Sequence, residues 1–108
     1  PSVAKDSEDK SMALENVASK SGVHSGPIQC LAAATDKDSM TWIATGSMDH
    51  SLALHTLDPK TKELSTYATC AGGHTSALGS VDIWGTNKLL ASGDWDGGVC
   101  IWDFSEAP

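Results

Sequence analysis

Apolar residues in this chain come in short runs, separated by clusters of Gly, Pro, Asp, Ser and Thr. Short runs bounded by turn residues predict strands. On this pattern strands fall near Ile28–Ala33, Thr41–Thr45, Ser51–Thr56 and Leu64–Cys70, and again near Ala77–Ile83, Leu89–Ser92 and Val99–Phe104. Asp58-Pro59-Lys60-Thr61 supplies one turn, with Pro presetting φ. Asp96-Gly97-Gly98 supplies a tight one, whose glycines can take positive φ. Residues 1–10 are polar and read as a disordered leader or loop. Residues 11–20 are ambiguous. Met12, Leu14 and Val17 could line a short helix, but their place just before the first set of strands favours Met12–Ala18 as the outer strand of a preceding unit.

The two sets of strands repeat one another. His24-Ser-Gly-Pro-Ile28-Gln-Cys30-Leu31 matches His74-Thr-Ser-Ala-Leu78-Gly-Ser80-Val81, 50 positions later. Trp42-Ile-Ala-Thr45-Gly46-Ser-Met-Asp49 matches Leu89-Leu-Ala-Ser92-Gly93-Asp-Trp-Asp96, 47 positions later. A period in this range marks a repeat architecture, in which each unit buries its apolar face only against its neighbours. The organisation is therefore one repeat over 22–71 and a second over 72–108, the second ending where a fourth strand would begin. That ending, and the initial Pro, read as those of a piece cut from something larger.

The second copy resembles the WD40 repeat family. Gly73-His74 opens the unit, Leu89-Leu-Ala-Ser92-Gly93-Asp-Trp-Asp96-Gly97 fills its middle, and Trp102-Asp103 closes it. The first copy has Val23-His24 at its opening, and His55 where the family has Trp. The resemblance implies an all-β fold, a partial WD40 β-propeller of about two blades of antiparallel sheet. It also implies a structural hydrogen-bond network of His74, Ser92, Asp96 and Trp102, echoed by His24, Thr45 and Asp49. Half-buried polar groups at a tight turn must be paired, so the chemistry supports such a brace. With His55 in place of Trp, the first unit is expected to lose indole packing and be softer.

The succession Thr45-Gly-Ser-Met-Asp-His-Ser-Leu, then Tyr67-Ala-Thr-Cys-Ala-Gly-Gly-His, then Leu78-Gly-Ser-Val-Asp-Ile is similar to the WD-repeat ribosome-biogenesis factors of the pescadillo–Bop–WD-repeat complex. That likeness implies a nuclear, mostly nucleolar scaffold in large-subunit assembly and ribosomal RNA maturation. The partners it implies are another WD-repeat protein and pre-60S particles. A generic adaptor in ubiquitin-ligase or signalling complexes is the alternative.

Charge and candidate chemistry narrow this further. The formal net charge is −7, and all seven basic residues are Lys. Nucleic-acid binders carry a basic face, so direct nucleic-acid binding is not expected. No apolar run is long enough for a membrane-spanning helix. Cys30, Cys70 and Cys100 are far apart and form no Cys-x-x-Cys pair, so neither a zinc site nor any other cofactor is expected. Ser92, His74 and Asp96 are also the residue types of a hydrolytic triad. Ser92 lies inside a predicted strand, however, with no Gly-x-Ser-x-Gly elbow, and the set recurs in the first copy with Thr for Ser. Duplication fits a structural role, so no catalytic residue is assigned. Trp42 and Trp84 read as packing residues. Trp95, just before the turn Asp, is the candidate partner contact.

Overall fold

A computed structural model describes residues 14–106, which form two antiparallel sheets. The leader over 1–10, and residues 11–13 of the expected outer strand, lie outside the described residues. The first sheet runs in chain order through β1 (Ile28–Thr35), β2 (Thr41–Ser47), β3 (Leu52–Leu57) and β4 (Leu64–Cys70). The second runs through β5 (Leu78–Trp84), β6 (Leu89–Asp94) and β7 (Val99–Asp103). There is no helix among the described residues, and residues 14–20 form neither a helix nor a strand.

Several strands run past their predicted ends because the ladder continues into the turns. Ser47 donates its N–H to the Ser51 carbonyl at 3.1 Å, and Asp94 donates to the Gly98 carbonyl at 2.9 Å, so β2 and β6 reach these residues. The tight turns need a left-handed residue near their end. His50 (φ 76°) fills that place after β2, and Gly97 (φ 90°) fills the equivalent place after β6. Glycine adopts this conformation without the Cβ penalty that His50 carries.

The core lies between the sheets, where β1 and β2 pack against β5. Trp42, Ala44, Leu52 and Leu54 from the first sheet meet Leu78 and Leu90 from the second, with Phe104 just beyond β7. The approach is close at Gly46, where a Cβ would come within 2.8 Å of Leu78 Cβ and 2.7 Å of Cys30 Sγ. It is closer still at Gly85, where an added Cβ would collide with the Thr35 carbonyl. The Trp42 ring stacks at a tilt on Phe104 (4.9 Å between centroids) and meets Tyr67 edge-on (5.5 Å). Such pairs add to the burial of their area.

Alternation fixes which side chains face the neighbour. Trp42, Ala44 and Gly46 point from β2 towards the second sheet, so Ile43 and Thr45 point away from it. The repeat carries this arrangement forward. Leu89, Ala91 and Gly93, 47 positions on, point away from the first sheet, and Leu90 and Ser92 point towards it. The two sheets therefore stack head to tail.

Candidate functional site

His74 is held in the loop between β4 and β5, buried under the second sheet. Its Nε2 lies 2.6 Å from Ser92 Oγ on β6, and Trp102 on β7 donates its indole N–H to the same oxygen at 2.8 Å. On the other side of the ring, Nδ1 lies 2.7 Å from Asp94 Oδ2. Indole can only donate and carboxylate can only accept. One assignment gives every proton an acceptor within the chain: Trp102 donates to Ser92, Ser92 to His74 Nε2, and His74 Nδ1–H to Asp94. The fold thus brings His74, Ser92 and Trp102 together.

Asp96 is the exception: the carboxylate that receives His74 is Asp94. Asp94 ends β6, and its Oδ1 accepts the backbone N–H of Asp96 (2.9 Å) and of Gly98 (2.8 Å). Asp96 sits two residues further on, at the exposed tip of the turn. Space explains the exchange. A Cβ at Gly98 would lie 2.7 Å from Asp94 Oδ2, so only glycine leaves room for the carboxylate to reach His74.

In the first sheet the equivalent positions are Ser47 and Ser51, and the brace is built differently. His24 Nδ1 lies 2.7 Å from Ser51 Oγ, which donates to Asp49 Oδ1 at 2.5 Å. The direct separation of His24 Nδ1 and Asp49 Oδ1 is 3.8 Å, so Asp49 acts through Ser51. His24 Nε2 lies 2.8 Å from Thr45 Oγ1. His55 Nε2 then takes the place of the indole at 3.1 Å from Thr45 Oγ1. Its second nitrogen reaches Thr66 Oγ1 on β4 at 3.2 Å, a bond an indole has no atom to make. The lost indole packing is thus accompanied by an extra link, and the brace crosses from β2 to β4. Protons run one way along it, from Thr66 through His55, Thr45, His24 and Ser51 to Asp49. Among the described residues no buried side-chain nitrogen or oxygen lacks a partner.

The acid–base properties follow from these contacts. The bond from His74, then the Gly98 amide, holds Asp94 below the ordinary carboxylate range. Burial pushes Asp49 up, but the bonds from Ser51 and Ser25 outweigh it and hold the group well below that range. Burial lowers His55, and His24 and Lys20 nearby add to the effect. Burial also raises the thiols of Cys30 and Cys70.

One brace escaped the sequence reading. Asp36 Oδ2 accepts the Trp42 indole N–H at 2.9 Å, and Oδ1 accepts the amides of Asp38 (2.8 Å) and Met40 (3.0 Å). Lys88 Nζ, from the β5–β6 turn, lies 3.9 Å from Oδ2. Asp36 has no counterpart in the second copy, so no repeat offset could reveal it. Among the described residues, no three His, Cys, Asp or Glu side chains converge as metal ligands.

Trp95 is exposed at the β6–β7 turn, its ring edge resting over Gly79, where an added Cβ would meet Cδ1 at 3.0 Å. Met48 stands at the equivalent place in the β2–β3 turn and is also exposed. The same end of both sheets therefore presents a large apolar side chain. Trp42 is fully buried, and Trp84 is exposed on the outer face of the second sheet.

Residues 62–103 match the family described as WD domain, G-beta repeat. Residues 62–103 carry a WD40 repeat. The matched span contains β4 and then β5 to β7, so the WD40 unit is out of phase with the sheets. It contributes the outer strand of one sheet and three strands of the next, joined through His74. The two antiparallel sheets are those of a partial WD40 propeller. The chain is also similar to a protein of Arabidopsis thaliana named "Ribosome biogenesis protein WDR12 homolog". Identity is 30% over 89 residues, which is 78% of this chain and 21% of that relative. The chain thus spans about a fifth of the length of the curated relative it matches. A WD40 repeat is a protein-interaction unit.

Proposed function

We propose that this chain belongs to a non-catalytic WD40 scaffold that acts in ribosome biogenesis, in large-subunit assembly and ribosomal RNA maturation, in the nucleus and nucleolus. The likeness to the Arabidopsis protein, whose name states ribosome biogenesis, carries the reading. The polar residues support the scaffold half of it. Ser92 is buried and its hydroxyl is engaged by both His74 and Trp102, so it has neither the exposure nor the free geometry of a nucleophile. Trp95 is the residue we assign to partner contact, because an exposed, backed indole is the kind of side chain on which protein interfaces concentrate their energy. The partners are other proteins, among them another WD-repeat protein and pre-60S particles.

The test is affinity purification of the full-length protein that contains this chain, with the particle profile read on a sucrose gradient. Co-migration with pre-60S particles and nucleolar staining are expected. Trp95→Ala is expected to weaken partner capture about tenfold at unchanged thermal stability. Absence from both the particles and the nucleolus would overturn the reading.

A further inference from the structure

Lys88, the last residue of the β5–β6 turn, holds a backbone conformation that disfavours it. Its φ is 54°, in the left-handed region that glycine and asparagine enter far more readily than lysine. Asn87 stands one position earlier, so the turn carries a suitable residue beside the place that calls for one. Strain of this kind persists only where the surroundings hold the residue, and it directs attention to what the side chain does.

That side chain crosses to the first sheet. Its Nζ reaches Asp36 Oδ2 at 3.9 Å, with the Lys88 side chain 14% exposed and that of Asp36 2%. The same ammonium lies 5.6 Å from the centre of the Trp42 ring, within range of a cation–π contact. Trp42 in turn donates its indole N–H to Asp36. The Lys88 carbonyl accepts the Phe104 N–H at 2.9 Å, and Phe104 stacks on Trp42. Gly85, at the start of the same turn, admits the Thr35 carbonyl closer than any Cβ would allow. None of this is a property of the repeat. At the offset of 47 positions, Thr41 stands where Lys88 stands, and Leu89 where Trp42 stands.

We infer that Lys88 is a pin that holds the second sheet in one alignment on the first. The face it borders is built from Trp42, Ala44, Leu52 and Leu54 against Leu78 and Leu90. Apolar burial stabilises such a face but is non-directional, so it defines sliding and rotation poorly. An ammonium held largely out of water against one carboxylate and one ring defines both, because a displacement leaves buried Asp36 without its cation. The β5–β6 turn lies at the opposite end of the sheets from the turns that carry Met48 and Trp95. Each sheet is a hydrogen-bonded ladder, so a rotation freed at Lys88 displaces those two side chains relative to each other. Lys88 is therefore also a positioning residue for Met48 and Trp95. This second role rests on the assignment of Trp95 to partner contact, whereas the pin does not.

Three substitutions in the full-length protein that contains this chain test the inference. Lys88→Met keeps the stem without the charge, Lys88→Arg keeps the charge, and Lys88→Gly suits the turn backbone. Hydrogen exchange of the Trp42 indole N–H, read by NMR on 15N-labelled tryptophan, is expected to quicken about tenfold or more in Lys88→Met and Lys88→Gly. In Lys88→Arg it should stay close to the parent. Lys88→Gly should lower the urea midpoint even though glycine relieves the left-handed turn. With Asp36→Asn already present, Lys88→Met should lose most of its effect. A Lys88→Gly protein with an equal or higher midpoint and unchanged indole exchange would make Lys88 a turn residue only and overturn the pin. So would a Lys88→Met effect that is the same with and without Asp36. Partner capture should fall in Lys88→Met and return in Lys88→Arg. Capture that is lost in Trp95→Ala but kept in Lys88→Met would remove the positioning role. Capture indifferent to Trp95→Ala would sink the partner assignment, while indole exchange and the midpoint still decide the pin.

Discussion

Ser92→Ala is the sharpest probe of the second brace. The substitution deletes the oxygen that accepts from Trp102 at 2.8 Å and joins His74 at 2.6 Å. Each hydrogen bond contributes about 1 kcal/mol net, and a buried polar group stranded without a partner costs about 1–3 kcal/mol. Two groups are stranded here, the indole N–H and His74 Nε2, beside a position almost wholly out of water. The expected loss is therefore about 2–4 kcal/mol, a large share of what a small domain has. At about 4–8 °C per kcal/mol for a domain of this size, the melting midpoint should fall by roughly 10–25 °C. Urea unfolding followed by tryptophan fluorescence and far-UV circular dichroism measures it, provided the slope m is unchanged. Asp96→Ala is the control. Its side chain stands at the tip of the turn, and the change should stay within about 0.5 kcal/mol. Asp94→Ala should destabilise clearly more than Asp96→Ala. The reasoning fails if Ser92→Ala also stays within about 0.5 kcal/mol, or if Asp96→Ala costs as much as Ser92→Ala.

Further outcomes are expected. Gly98→Ser alone should destabilise, because its Cβ would crowd Asp94 Oδ2, whereas Gly98→Ser with Asp94→Ser rebuilds the Ser47–Ser51 arrangement and should recover part of the loss, a coupling that a double-mutant cycle on unfolding free energy reads directly. Gly46→Ala should cost about 1–3 kcal/mol in the same assay, since its Cβ meets Cys30 and Leu78 in the packed core. His50→Gly should raise stability by up to about 1 kcal/mol by removing a non-glycine residue from a left-handed turn position. The pH dependence has a definite sign. His55 is lowered by burial from 6.5, so the unfolded chain takes its proton first, and stability should decline as pH falls through that value. His55→Gln should flatten that part of a pH series of urea midpoints. Asp49 and Asp94 are held low, so their contribution persists above the ordinary carboxylate value of 3.8 and is lost on acidification below it.

Much of this molecule is written in the period of its chain. Short apolar runs and turn residues place the seven strands of the described residues, though the strand expected at Met12–Ala18 is no strand over its described residues, and the offsets of 47 and 50 positions put His24, Thr45, His74, Ser92 and Trp102 on matching sites, because local pattern and repetition are sequence properties. Tertiary structure alone decided which carboxylate answers each histidine. Asp94 and Asp96 are indistinguishable by type. The choice depends on whether position 98 carries a Cβ, and in the first sheet on a serine hydroxyl that fills the same gap. The Asp36 brace to Trp42 and Lys88 was equally invisible, since it occurs in one copy only and its Lys88 end comes from far along the chain. Strands follow from neighbours in sequence, but hydrogen-bond partners follow from the ångström-scale space that folding leaves between them.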